Sequence, residues 1–135
     1  ETEWIIKTEL LEPIKPLLNA GMIFEAIVLM LNNISANSVF YKKALKLEGA
    51  VTFNQIAMKC VYEMFMNIIS EKSTGKKSKY RWLTPEVIST YYAQSLCFIT
   101  EGWIAQGMDD IEPKEMAEAY MYLITRSMDD ILSEL

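Results

Sequence analysis

The 135-residue chain contains no histidine, and this absence removes more chemistry than any residue present supplies. Without imidazole it lacks the commonest general base, Ser–His and Cys–His nucleophile pairs, and the zinc and di-iron motifs built on histidine. The carboxylate doublets Asp109-Asp110 and Asp129-Asp130 are sequence neighbours. On a helix such neighbours point about 100° apart, so neither doublet presents an acid and a base to one substrate, and both read as solvated charge. Cys60 and Cys97 stand far apart, without the clustered spacing of a zinc site or a disulfide framework, and read as small buried hydrophobes of a reducing, cytoplasmic protein. The five glycines occur singly, so no phosphate-cradling loop or dinucleotide fingerprint is present. No catalytic residue, metal or cofactor is expected, and the chain is read as non-enzymatic.

Binding chemistry is better represented. Lys72, Lys76, Lys77, Lys79 and Arg81 fall in one acid-free stretch beside Tyr80 and Trp82, a composition in which cations could meet phosphates and aromatic faces could stack on bases. The simpler reading is a solvated connector with Trp82 packed onto the body. The whole chain carries a net charge of −5, and these five cations supply +5, so the remainder stands at −10. An acidic body repels the phosphate backbone, which argues against duplex DNA binding by these residues themselves.

The elements that must position any site are helices. At this length one domain buries roughly 65 to 70% of the surface exposed by its unfolded chain. Apolar residues recur at helical spacing almost throughout, with no sustained two-residue alternation, which predicts an all-α fold. An opening helix, 2–11, is interrupted by Pro13 and Pro16, and Asn19-Ala20-Gly21 closes that unit. A central helix is expected over 22–34, a short one ending at Glu48-Gly49, and a long one over 51–69. An exposed loop follows over 71–83. Thr84 then caps a helix over 85–106, with Pro85 at its first position and Gly107 as its stop. A final helix is expected to start at Pro113 and continue to the last residues, with one apolar stripe running through Met121, Ile124, Met128, Leu132 and Leu135. The longest apolar runs are far shorter than the 18 or so residues of a membrane span, so no membrane partner is expected.

The last two helices are each apolar over about half their circumference, more than one core needs. Burying about 400 Å² of such a flank per chain is worth on the order of 10 kcal/mol of gross transfer free energy, before association entropy is subtracted. The expected product is a homodimer closed by the last two helices of each copy as a four-helix bundle. Val87, Tyr91, Ser95, Phe98, Gly102, Met121, Ile124 and Met128 are the candidates for its seam, with Ser95 and Gly102 small enough to admit a partner helix.

The same region carries a family likeness. Tyr91-Tyr92, a small residue, an apolar run, Gly102-Trp103-Ile104, then Gly107-Met108, Glu112-Pro113 and Glu115-Met116-Ala117 resemble the end of a Tet-repressor-type transcriptional regulator. The stretch 37–47 (NSVFYKKALKL) resembles the middle of that family, where a short helix carries an aromatic pair before a basic-apolar tail. The resemblance follows most of the chain in order. It implies a single helical domain, 1–135, that senses a ligand and dimerises, with the helix-turn-helix DNA reader lying outside this chain. It also implies a cavity among the central helices for a small apolar or amphipathic effector, with Met30, Phe40, Cys60, Met64, Tyr92 and Trp103 as candidate lining. Operator DNA would then be a partner only through the reader. The competing reading is a helical protein–protein adaptor whose apolar flanks bind a different partner.

Overall fold

Proline chemistry shapes the first element. In the computed structural model, which describes residues 1–46 and 51–135, the N-terminal segment begins as α1 (Thr2–Ile5). It widens into a π-helical stretch, Ile6–Leu11, tightens into a 3₁₀ turn, Glu12–Ile14, and finishes as α2 (Lys15–Asn19). Pro13 has no N–H, so the Glu9 carbonyl one turn earlier loses its helical donor. Asn33, from the neighbouring helix, supplies one: its Nδ2 donates to that carbonyl at 3.2 Å. The wider turn is completed by the Glu12 N–H donating to the Lys7 carbonyl. α2 ends in a Schellman motif, with Gly21 at φ +78° and the N–H groups of Gly21 and Met22 donating to the carbonyls of Leu18 and Leu17.

The helix expected over 22–34 is α3 (Ile23–Ala36), which buries Ala26, Ile27, Met30, Leu31 and Ile34. At Asn37 the chain turns through 89° into α4 (Ser38–Leu45). Tyr41 on α4 is fully buried, and its hydroxyl donates to the Glu9 carboxylate at 3.3 Å. Burial, reinforced by that carboxylate, pushes the Tyr41 pKa far up, so the phenol remains a neutral donor. The expected end of this helix at Glu48-Gly49, and the contribution of Leu47, lie outside the described residues.

α5 (Phe53–Lys72) opens with a full capping box that sequence reading missed. The Thr52 hydroxyl accepts from the Gln55 N–H at 3.2 Å, and the Gln55 side chain accepts from the Thr52 N–H at 2.8 Å. α6 (Pro85–Ala105) begins as expected, with the Thr84 hydroxyl accepting from the Val87 N–H at 3.2 Å. It ends at Gly107, φ +97°, after which Met108 folds back into the core. α5 and α6 form the most extensive helix pair, and α6 buries Ser89, Ala93, Cys97 and Thr100 in one stripe of small side chains. α7 (Pro113–Thr125) packs chiefly on α3.

The final helix is not continuous, contrary to the sequence expectation. Arg126 adopts an extended conformation (φ −118°, ψ 148°), and the Ser127 hydroxyl starts a new helix, α8 (Met128–Glu134), by accepting from the Asp130 N–H at 3.1 Å. A capping residue followed by two acids in the first turn satisfies a helix start locally, and this outweighs continuation of the apolar stripe. Met121 and Ile124 therefore do not share a stripe with Met128, Leu132 and Leu135. Among the described residues there is no strand, and no single helix is long and apolar enough to cross a membrane.

Replacing Asn33 with Ala leaves the Glu9 carbonyl without its donor, and stability should fall by about 1–2 kcal/mol. A urea titration checks this as a lower midpoint at unchanged slope.

Candidate functional site

Two features on opposite faces of α6 stand out from an ordinary core. On one side, α2, α3, α5, α6 and α7 border a partly open cavity of about 330 Å³, with Ile23 and Tyr92 at its exposed rim. Met30, Ile27 and Ile23 of α3 form one wall, Met64 and Phe65 of α5 another, and Tyr92, Leu96, Tyr120, Met121 and Ile124 the remainder. At about 30 Å³ per water, it has the capacity of roughly ten waters. No charged side chain lines it. Its polar edge is sparse. Ser95 Oγ and the Tyr120 hydroxyl lie 2.8 Å apart and tie α6 to α7, and Thr125 Oγ1 donates to the Met121 carbonyl at 2.6 Å. Burial raises the Tyr120 pKa, with the Ser95 contact opposing it, so this edge stays neutral.

The arrangement follows from helical phase. On α6, Tyr92 and Leu96 are one turn apart, and on α7 Tyr120, Met121 and Ile124 follow the same rule, so each helix lends one stripe to the cavity. The methionines are unbranched and can repack around differently shaped contents.

Of the lining residues named from sequence, Met30, Met64 and Tyr92 come together here. The other three lie elsewhere. Phe40 is half-buried on α4, edge-on to Tyr41 with ring centroids 5.0 Å apart. Cys60 is buried on a different face of α5, near Lys7 and Leu11. Trp103 is buried near the end of α6, where Nε1 donates to the Ile111 carbonyl at 2.8 Å and fastens the turn into α7. Phase along a single helix does not say which neighbouring helix a stripe meets, and these three residues meet other neighbours.

The outward face of α6 presents Tyr91, Gln94, Phe98, Gly102 and Ala105 to solvent. Phe98 is 75% exposed, and a Cβ built on Gly102 would meet nothing within 4 Å. Val87 is half-buried at the start of this face. Met128, 76% exposed, is on α8 and not on the helix expected to carry it. Ser95 faces inward to Tyr120, and Met121 and Ile124, expected at the seam, are half-buried against the cavity. Ala117 and Tyr120 anchor α7 onto the core and turn that stripe inward.

Neither cysteine is poised for reaction. Burial raises the Cys60 pKa and pushes the Cys97 thiol up to about 12. Glu101, whose carboxylate accepts from Asn54 Nδ2 at 2.7 Å, has its pKa raised by burial, and that hydrogen bond opposes the shift. Among the described residues no cluster of three or more Cys, Asp or Glu side chains could hold a metal ion.

Residues 22–126, well over half of the chain, match the family model described as the C-terminal region of transcriptional regulators. No curated protein and no solved structure matches the chain.

Both thiols should resist Ellman's reagent at pH 8 in the folded protein and react fully in urea. For Cys97 the folded-state pKa lies above the unfolded one, so its contribution to stability is intact below the unfolded value and is lost as pH rises toward about 12. Rapid labelling of either cysteine in the native state would contradict this burial.

Proposed function

This chain belongs to the C-terminal regulatory region of Tet-repressor-type transcriptional regulators, and on that premise we propose that it couples an uncharged effector to the geometry of a homodimer. The observation that carries this reading is the double duty of α6. Tyr92 and Leu96 face the cavity, while Tyr91 and Phe98 on the same helix face solvent. Whatever fills the cavity presses on the helix that carries the seam.

The ligand class follows from the walls. A cavity without a charged lining residue does not compensate the desolvation of an ion, so the effector is apolar, with at most one or two neutral hydrogen-bonding groups directed at Ser95, Tyr120 or Thr125. The seam is assigned to Val87, Tyr91, Phe98 and Gly102, with α8 supplying Met128. Two amphipathic helices per copy would build a four-helix bundle across the twofold axis. Binding then shifts the population between two dimer geometries. Their difference sets the separation of two DNA readers on an operator, each reader belonging to a part of the regulator outside this chain.

Two measurements test the halves separately. N-phenyl-1-naphthylamine, an uncharged fluorophore of suitable size, should brighten on binding the chain. Met121→Trp, which fills the cavity from its edge, should weaken that binding at least about tenfold, a loss of about 1.4 kcal/mol. Equal binding by both proteins would remove the cavity as the effector site. For the seam, light scattering should give the mass of a dimer for the chain and of a monomer for Phe98→Glu and Gly102→Leu. A lone subunit has room for a side chain at Gly102, so an effect there reports a partner helix and not a misfold. A chain that is monomeric before substitution would favour the adaptor reading.

A further inference from the structure

Two exposed features at the edge of the proposed seam, each touching it at only one or two residues, are complementary. The first is an apolar groove of about 560 Å³ where the 73–84 connector meets α6, walled by Trp82, Leu83, Val87, Ile88 and Tyr91. Trp82 is 75% exposed and does not pack onto the body as its sequence setting suggested. Arg81 directly precedes Trp82 in the connector, which also carries Lys76, Lys77 and Lys79, all exposed, and none of the four makes an ion pair among the described residues. Glu86 is the one acid on the groove wall.

The second is α8, sequence MDDILSE, which buries none of its residues. Met128, Leu132 and Leu135 are exposed, while Asp129, Asp130 and Glu134 form no ion pair among the described residues. A seven-residue amphipathic helix with none of its residues buried is marginal in water. None of its residues lines the groove of its own chain, and Tyr122 on α7 donates to Glu134, linking α8 to α7. Tyr92 borders both the groove and the cavity beside Thr125, the last residue of α7, so α8 leaves from the same end of α6 at which the groove opens.

We infer that α8 of one copy docks in the Trp82 groove of a second copy, and that each copy both gives and receives a helix. Leu132 and Met128 fill the apolar trough, and Asp129, Asp130 and Glu134 meet the lysines and arginine of the connector. Exchange of this kind is self-complementary, so it closes at two subunits and does not propagate into a fibre. The groove shares Val87 and Tyr91 with the proposed seam, making the exchange an extension of that interface, and the inference rests on the dimer reading.

Disulfide trapping tests it. A mixture of one chain carrying Trp82→Cys and another carrying Leu132→Cys, mildly oxidised, should give a covalent dimer on a non-reducing gel, the native thiols being buried. No bond in the mixture would overturn the exchange, as would a bond formed only within a doubly substituted single chain. A second measurement removes dependence on one contact. Lys76→Glu with Lys77→Glu, or Asp129→Lys with Asp130→Lys, should each weaken dimerisation about tenfold at low salt, and the two sets combined should restore it. Additive losses would refute the pairing. So would a lysine variant that self-associates normally but loses affinity for single-stranded oligonucleotide. If Phe98→Glu still dissociates the chain while trapping fails, the seam stands and only the exchange is lost.

Discussion

The close approach of α5 and α6 organises the rest of the molecule. Ser89, Ala93, Cys97 and Thr100 make a narrow buried stripe on α6, and side chains of that size let a neighbouring backbone come near. Once this stripe is committed to the interior, the phase of α6 is set. Its remaining circumference then divides into one flank over the cavity, with Tyr92 and Leu96, and one facing solvent, with Tyr91, Phe98 and Gly102. A bulky side chain in the small stripe would lift α6 off α5 and disturb both flanks together.

This division gives α6 two roles, one toward the cavity and one toward solvent. The polar interior is small: the Ser95–Tyr120 pair ties α6 to α7, Trp103 fastens the turn between them, and Asn33 repairs the gap that Pro13 opens at Glu9, while the buried hydroxyls of Ser89 and Thr100 make no hydrogen bond among the described residues. Apolar contacts surround these few bonds, and packed interiors move between discrete arrangements more readily than they deform continuously. Methionines at the cavity wall allow repacking without loss of contact, while the α5–α6 stripe resists it. On the proposed reading, filling the cavity would be transmitted through whole helices.

Local signals are the most legible in this sequence. The Thr84-Pro85 start of α6, the glycine stops at Gly21 and Gly107, and the all-helical class follow from side chains acting on their own turn of backbone. The same local chemistry starts α5 at Thr52-Gln55 and α8 at Ser127-Asp130, where it divides the one long helix that the apolar stripe predicts into two. Trp82, expected to pack onto the body from an otherwise solvated connector, is held outward at the wall of the groove.

The residues of this chain, taken alone, determine that it folds as helices, where most of those helices start and stop, that histidine-based catalysis is excluded, and that its apolar surface exceeds a single core. Those properties depend on residue type and spacing within a few turns. Tertiary structure decided which stripe meets which neighbour. It gathered Met30, Met64 and Tyr92 around one cavity while sending Phe40, Cys60 and Trp103 elsewhere, and it turned Met121 and Ile124 inward while leaving Phe98 exposed. Helical periodicity fixes the angle of a side chain about its own axis, but the rotation of that axis against its neighbours is settled only when all the helices pack at once.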